Sequence, residues 1–178
     1  LVLDGLLVEG GLKNRPGAVA ELRAENCTFA PSDAEGASIR QHSTGASTYL
    51  DLTIERCICG GVELPDVPGD LTVASSVIGV VESTADSPSP VGLDALKMQV
   101  DVAGATVFGP TEVEELHADD SIFADDVDVH RRQSGCVRFS CAPEGSRLPR
   151  RYRCHLFEAS DQGHERPTFV TREWWRPN

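Results

Sequence analysis

The sequence predicts an all-β chain, a right-handed, single-stranded parallel β-helix with irregular loops and a C-terminal cap. Three observations predict it. A pattern of the form L-x-h-x-x-(C/S/T)-h-h, with h mostly apolar, recurs along the first 130 residues. Each copy is period-2 on either side of a small residue, as two short strands meeting at a corner would be. No sustained 3.6-residue period accompanies it.

The copies are Leu22–Phe29, Leu52–Cys59, Leu71–Ile78, Asp101–Phe108 and Leu116–Phe123. The opening Leu3–Val8 fits the same frame with Leu6 at the Cys/Ser/Thr position, and Gly60, Gly79 and Gly109 follow three of the copies. The small residue falls at 6, 27, 57, 76, 106 and 121, at spacings of 21, 30, 19, 30 and 15 that average 23. A coil of that length cannot bury its own apolar face, so stacking supplies the core. Equivalent small residues then form a ladder inside the corner. Ile54, Val73, Val102 and Ile122, with the corner residues Cys27, Cys57, Ser76 and Thr106, are expected to point inward. Turn-rich inserts at 31–36 and 83–90 are expected as loops on the wall, and Leu93–Met98 as one helical turn at most. A β-sandwich also shows many short strands, but it gives no reason for a corner motif that recurs in register.

The chain has 178 residues, 40% hydrophobic and 25% charged, which fits one globular domain with a substantial core. No apolar run approaches the roughly 18 residues of a membrane helix, and no signal-peptide pattern opens the chain. A cytoplasmic location without membrane contact is therefore expected. The only methionine is Met98, so the chain reads as a fragment of a longer polypeptide or a processed product.

The net charge of −12 is unevenly placed. Residues 1–129 hold 6 basic and 23 acidic side chains, whereas residues 130–178 hold 10 basic and 5 acidic ones. The switch divides the domain into β-helix coils over 1–130 and a basic coil or cap over 131–178. The acidic body argues against binding nucleic acid or an anionic surface.

The six cysteines include no CxxC pair and are too few for a disulfide scaffold. Cys57 and Cys59 lie two apart, so a strand places both thiols on one face, as small packing residues. Asn26-Cys27-Thr28 matches a glycosylation sequon, which is idle in an intracellular protein.

In the basic segment, Arg131-Arg132-Gln133, Gly135-Cys136-Val137-Arg138-Phe139, Gly145-Ser146-Arg147 and Pro149-Arg150-Arg151-Tyr152-Arg153-Cys154 form a distinctive series. It resembles a segment of large, uncharacterised bacterial proteins, some encoded in phage tail-like gene clusters. The opening Leu1-Val-Leu-Asp-Gly-Leu-Leu is similar to the same proteins, while Cys141 and Trp174-Trp175 depart from their pattern. The resemblance implies an interior module of a longer protein and carries no catalytic residues.

The acidic cluster Asp119, Asp120, Asp125, Asp126 and Asp128 is the best enzyme candidate. Polysaccharide lyases and hydrolases of the β-helix class use wall-mounted carboxylates, with Ca²⁺ and an arginine base in the lyases. Asp119, Asp120, Asp126, Asp128 and Arg138 would serve that alternative. The histidines 42, 117, 130, 155 and 164 are scattered, and there is no HExxH, G-x-S-x-G, P-loop or GxGxxG. Cys136, Cys141, Cys154 and His155 have unusual spacing for zinc. Arg147, Arg150, Arg151 and Arg153 with Tyr152 resemble a nucleic-acid stripe. The acidic coils beside them favour ion pairing instead, with Arg138, Arg150 or Arg153 reaching the 119–128 carboxylates.

The sequence therefore points to a non-catalytic scaffold or interaction module of a larger bacterial assembly, without a cofactor or metal. Its partner is expected to be another protein or the rest of its own polypeptide. A carbohydrate-active enzyme or binder is the alternative. A wall groove with converging Asp and Arg side chains would favour the alternative.

Overall fold

The computed structural model describes residues 1–15, 17–30, 37–41, 48–79, 92–158, 167 and 169. Those residues form strands and contain no helix, and all of their strand pairs are parallel. The first repeat holds β1 (Val2–Asp4), β2 (Leu7–Glu9) and β3 (Leu12–Asn14). The second holds β4 (Glu21–Glu25), β5 (Thr28–Ala30) and β6 (Ala37–Gln41), and the third β7 (Leu50–Glu55), β8 (Ile58–Cys59) and β9 (Gly61–Glu63). Next come β10 (Gly69–Ala74) and β11 (Val77–Ile78), then the long β12 (Leu93–Ala103) with β13 (Thr106–Val107). The sixth repeat has β14 (Thr111–Asp119), β15 (Ile122–Phe123) and β16 (Val127–Val129). The basic segment continues the series with β17 (Cys136–Arg138), β18 (Cys141–Pro143), β19 (Arg150–Tyr152) and β20 (His155–Phe157).

Each repeat adds one strand to each of two rows. The first row runs β1-β4-β7-β10-β12-β14-β17-β19, and a separate 8-stranded sheet runs β2-β5-β8-β11-β13-β15-β18-β20. A third row, β3-β6-β9, continues through the N-terminal parts of β12 and β14 to β16 and merges with the first row into a 12-stranded sheet. The merger explains a departure from expectation: Leu93–Met98 is extended, not helical. It begins a strand that serves two rows and changes register between Ala95 and Gln99 relative to β14. The 31–36 and 83–90 inserts lie outside the described residues.

The corner between the first row and the second sheet repeats the same backbone solution. Gly5, Asn26, Arg56, Ser75, Gly104, Asp120, Phe139 and Arg153 all have φ between 49° and 66°. A left-handed conformation costs a non-glycine residue about 1–2 kcal/mol, so something must compensate it. The compensation is visible in the hydrogen bonds. The N–H of Asn26 donates to the Glu55 carbonyl, Arg56 to Ala74, Ser75 to Ala103, Gly104 to Asp119 and Phe139 to Tyr152, at 2.8–3.0 Å. With Gly5 donating to Glu25 and Asp120 to Arg138, the first seven corners turn their donor toward the following repeat.

The next residue is the small one. Cys27 N–H meets Cys57 Sγ, Cys57 N–H meets Ser76 Oγ at 3.0 Å, Ala105 N–H meets Ser121 Oγ at 3.2 Å and Ser121 N–H meets Ser140 Oγ at 3.1 Å. The same hydroxyls of Ser76, Ser121 and Ser140 donate to the carbonyl two residues earlier at 2.7 Å. A buried N–H needs a partner, and the motif's small Cys or Ser supplies it.

The core is made of rows of equivalent residues. Leu22, Leu52, Leu71, Val100 and Leu116 are in register, as are Ala24, Ile54, Val73, Val102, Ala118 and Val137. Phe29, Cys59, Ile78, Val107 and Phe123 line the second sheet's inner side, and all of these residues are buried in one cluster.

Six of the eight residues expected to point inward do so: Ile54, Val73, Val102, Cys27, Cys57 and Ser76 are buried. Thr106 and Ile122 do not; they are half-buried on the outer side, where they pair with each other in register. The fifth corner residue is Ala105, at 3% exposure, so the expected frame there was one residue late. A one-residue slip reverses every side chain of a strand. In the sixth repeat the inner position is Phe123, fully buried.

Gly135 enters β17 with φ of 86°, and a Cβ there would lie 2.2 Å from the Leu116 carbonyl oxygen. Two substitutions test the polar accounting of the interior. Ser121→Ala leaves the buried Ala105 N–H without its acceptor and should cost about 1–3 kcal/mol in denaturant unfolding. Thr111→Val should do the reverse, gaining up to about 1 kcal/mol, because Thr111 is 1% exposed and its hydroxyl oxygen has no partner. Equal stabilities for both variants would contradict the ladder.

Candidate functional site

Strand alternation places every second residue of the first row outward. On consecutive strands this brings Thr72, Asp101, His117 and Cys136 into one line and Ala103, Asp119 and Arg138 into the next. The small Ala103 leaves the wall low between these lines. The result is an open recess of about 400 Å³ lined by Thr72, Asp101, Ala103, His117, Asp119, Cys136 and Arg138, among others.

Within the recess Arg138 donates to Asp119 at 2.6 Å. His117 Nε2 lies 3.1 Å from Glu115 Oε1, and that oxygen also accepts the Ser134 hydroxyl at 2.7 Å. The Ser134 hydrogen bond, helped by His117 and Arg131, holds the Glu115 carboxyl below its ordinary range. The imidazole is thus tethered on one side, with Asp101 and Cys136 as its in-register neighbours.

The alternative catalytic set is not gathered into one place. Asp119 and Arg138 share the recess, and Asp120 occupies the left-handed corner just after β14. Asp126 and Asp128 belong to the third row, with Val127 and Val129 buried between and after them. Asp128 is in register with Glu112, near the opposite end of β14 from Asp119, and is engaged by Arg147 at 2.9 Å. Asp125 Oδ2 accepts the Gly109 N–H at 2.7 Å. Of the arginines expected to reach this cluster, Arg138 does, whereas Arg150 lies in register with Cys136 and Arg153 stacks on Tyr152 at 5.3 Å; Arg147, not among those expected, pairs with Asp128.

The cysteines divide similarly. Cys141 and His155 are in-register neighbours on the second sheet, whereas Cys136 is on the first-row wall. Cys57 and Cys59 are both buried, as their spacing predicts, and burial pushes both thiols above their ordinary pKa. Among the described residues no group of three His, Cys, Asp or Glu side chains is arranged to hold a metal ion.

The juxtaposition of Asp101, His117 and Cys136 was not read from the sequence. The repeat alignment carried the signal, but the one-residue slip at the fifth copy put Asp101 in the wrong column.

The third row carries a second acidic feature. Glu63, Asp94, Glu112 and Asp128 are in-register neighbours on four successive strands, with strands spaced about 4.8 Å apart. Glu112 is met by His130 at 3.1 Å, but Asp94 Oδ1 is buried without a hydrogen-bond partner. Burial, reinforced by Glu112, Glu63 and Asp66, pushes Asp94 up to about 6. Lys97 beside it pairs with Asp66 at 2.7 Å.

Comparisons with known proteins returned no match: no family model fits the chain, and no curated protein or solved structure is significantly similar to it.

The Asp94 environment gives a signed pH dependence. Between the unfolded carboxyl value, about 3.9, and about 6 the folded chain holds a proton that the unfolded chain has lost, so stability falls as pH rises through this window. Through this group alone, stability should rise as pH falls from about 7 toward about 4. Asp94→Asn should melt higher than wild type at about pH 7 and lose most of that difference by about pH 4. An unchanged pH profile in Asp94→Asn would refute the assignment.

Proposed function

We propose that the three strand rows close into a right-handed, single-stranded parallel β-helix. In this reading the chain is a non-catalytic scaffold or interaction module of a larger bacterial assembly, of the phage tail-like kind its C-terminal motif resembles. It would work in the cytoplasm, with a protein partner or with the rest of its own polypeptide. The observation that carries the reading is the unbroken register from β1 to β19 and from β2 to β20, in which the basic segment simply adds further strands. Such a stack is a stiff spacer with long ladder-lined walls.

Several wall charges act between repeats. Arg56 reaches Glu25, Arg138 reaches Asp119 and Arg147 reaches Asp128, each in the preceding repeat. Exposed pairs of this kind contribute about 0–1 kcal/mol each. They still occupy carboxylates that an acid/base pair would need free.

The recess favours a second reading, a carbohydrate binder or polysaccharide-cleaving enzyme, because Asp101, Asp119, His117 and Arg138 meet there. Incubation with polygalacturonate and related polymers, with and without Ca²⁺, separates the two. The scaffold reading expects no lyase product absorbance and no new reducing ends. Turnover that Asp119→Asn abolishes would replace it with the second reading.

The stacked architecture has its own test. Val73→Asp places an unpaired carboxylate in a fully buried row and should cost several kcal/mol. Removing residues 131–178 uncovers Leu116, Ala118 and Phe123 and should cause aggregation, since terminal repeats need a cap. A soluble, monomeric 1–130 fragment with an unchanged melting temperature would show the basic segment to be an independent arm.

A further inference from the structure

We propose that Cys136 is an acyl-acceptor thiol, activated by His117, that takes an acyl group from a thioester. The proposal goes beyond the scaffold reading and is compatible with it, since one acyl group per chain is a modification and needs no turnover. Three outward rungs join β14 to the seventh repeat at the recess. Ser134 closes the first on Glu115 at 2.7 Å, and Arg138 closes the third on Asp119 at 2.6 Å. The middle rung is His117 with Cys136, in register on strands about 4.8 Å apart. Both side chains line the same open recess.

The imidazole is oriented as a base. An ionised carboxylate only accepts hydrogen bonds, so the 3.1 Å contact of His117 Nε2 with Glu115 places the ring proton on Nε2. Nδ1 then keeps its lone pair. Glu115 is itself held by the Ser134 hydroxyl and by Arg131 at 3.9 Å. A thiol, a base on the neighbouring strand and a third group that orients the base are the parts that activate a nucleophile.

The other two half-buried thiols are placed differently. Cys154 Sγ donates to the Val137 carbonyl at 3.2 Å, and burial, reinforced by Cys154, pushes the Cys141 thiol above its ordinary pKa. The contact of Cys136 Sγ is longer, 4.0 Å to the Val137 carbonyl.

Arg138 selects the acyl class. It stands two residues beyond Cys136 on the same outward face of β17 and lines the same recess. A guanidinium carries five N–H donors, and Asp119 engages Nη2. The remaining donors suit the oxygen that turns negative when sulfur attacks a carbonyl. In the step, His117 Nδ1 takes the Sγ proton and Sγ bonds to the acyl carbon. The bond from that carbon to the donor's sulfur breaks, and His117 returns the proton to the departing thiolate. One thioester is exchanged for another, with no oxidant or reductant.

The test treats the full chain at about pH 7 with the acetyl thioester of N-acetylcysteamine, and in parallel with iodoacetamide, a reagent without an acyl transfer step. Peptide mass spectrometry reads the rate at each cysteine. Acetylation of Cys136 should be at least roughly tenfold faster than that of Cys141 or Cys154, and hydroxylamine should reverse it. His117→Gln should slow it at least roughly tenfold. Glu115→Gln should slow it in the wild-type background but not further in His117→Gln, because its effect passes through the imidazole. Arg138→Gln should slow acetylation of Cys136 by more than its alkylation. Melting temperature and far-UV circular dichroism confirm that the variants fold.

Acetylation spread evenly over Cys136, Cys141 and Cys154 overturns the proposal, as does an unchanged rate in His117→Gln. Equal slowing of both reagents by Arg138→Gln overturns the acyl class. Slowing by Glu115→Gln that is the same in both backgrounds overturns the orienting role of Glu115.

Discussion

The corner hydrogen bonds are the constraint on which the rest of the structure depends. At each corner the chain must leave one sheet and enter the other within two residues. It does so with one residue in the left-handed region, followed at the six corners from Cys27 to Ser140 by a small buried one. The first aims its N–H at the next repeat's carbonyl, and at four junctions the second donates its own N–H to the next repeat's small side chain. The repeats are thereby locked in a single relative register. Every other ladder, apolar or charged, inherits its alignment from that lock, because a slip of one residue would turn the core rows outward.

Alignment has an electrostatic consequence. In-register parallel stacking places like residues side by side, which suits Leu22, Leu52 and Leu71 and penalises repeated carboxylates. The chain meets this in two ways. On the first-row wall, opposite charges sit in neighbouring repeats, as in the group formed by Arg23, Arg56, Glu25 and Glu55. On the third row Glu63, Asp94 and Glu112 adjoin one another, and the half-buried Asp94 answers by holding its proton more firmly. The same alignment sets Arg150 and Arg151 in register with Cys136 and Val137 rather than with a carboxylate.

The sequence made the β content, the repeat and most of the inward positions legible because Cys27, Cys57, Ser76 and Ser121 share a column and a reason for being small. The fifth repeat was misread because its corner residues, Gly104 and Ala105, carry no heteroatom; the nearest hydroxyl, Thr106, took their place in the alignment. Cross-strand neighbours were out of reach for the same cause. Asp101, His117 and Cys136 lie 16 and 19 positions apart and meet only when the register is known. The double use of β12 and β14 was also hidden, since a strand that serves two rows shows a broken alternation that mimics a helical turn. The pairing of Arg138 with Asp119 was foreseen from charge alone, and that of Arg147 with Asp128 followed the same logic without being singled out.

Ala105 has a consequence for cooperativity. It offers the Ser76 N–H no side-chain acceptor, so the coupling between the fourth and fifth repeats lacks a bond that the second-to-third, third-to-fourth, fifth-to-sixth and sixth-to-seventh junctions possess. The missing bond is spanned by other pairing: β10 and β12 share six in-register residue pairs, and the N-terminal part of β12 reaches past the fourth repeat to pair with β9 of the third. Backbone ladders that overlap in this way make neighbouring repeats open together rather than one by one, so the loss of a single side-chain acceptor leaves the junction closed.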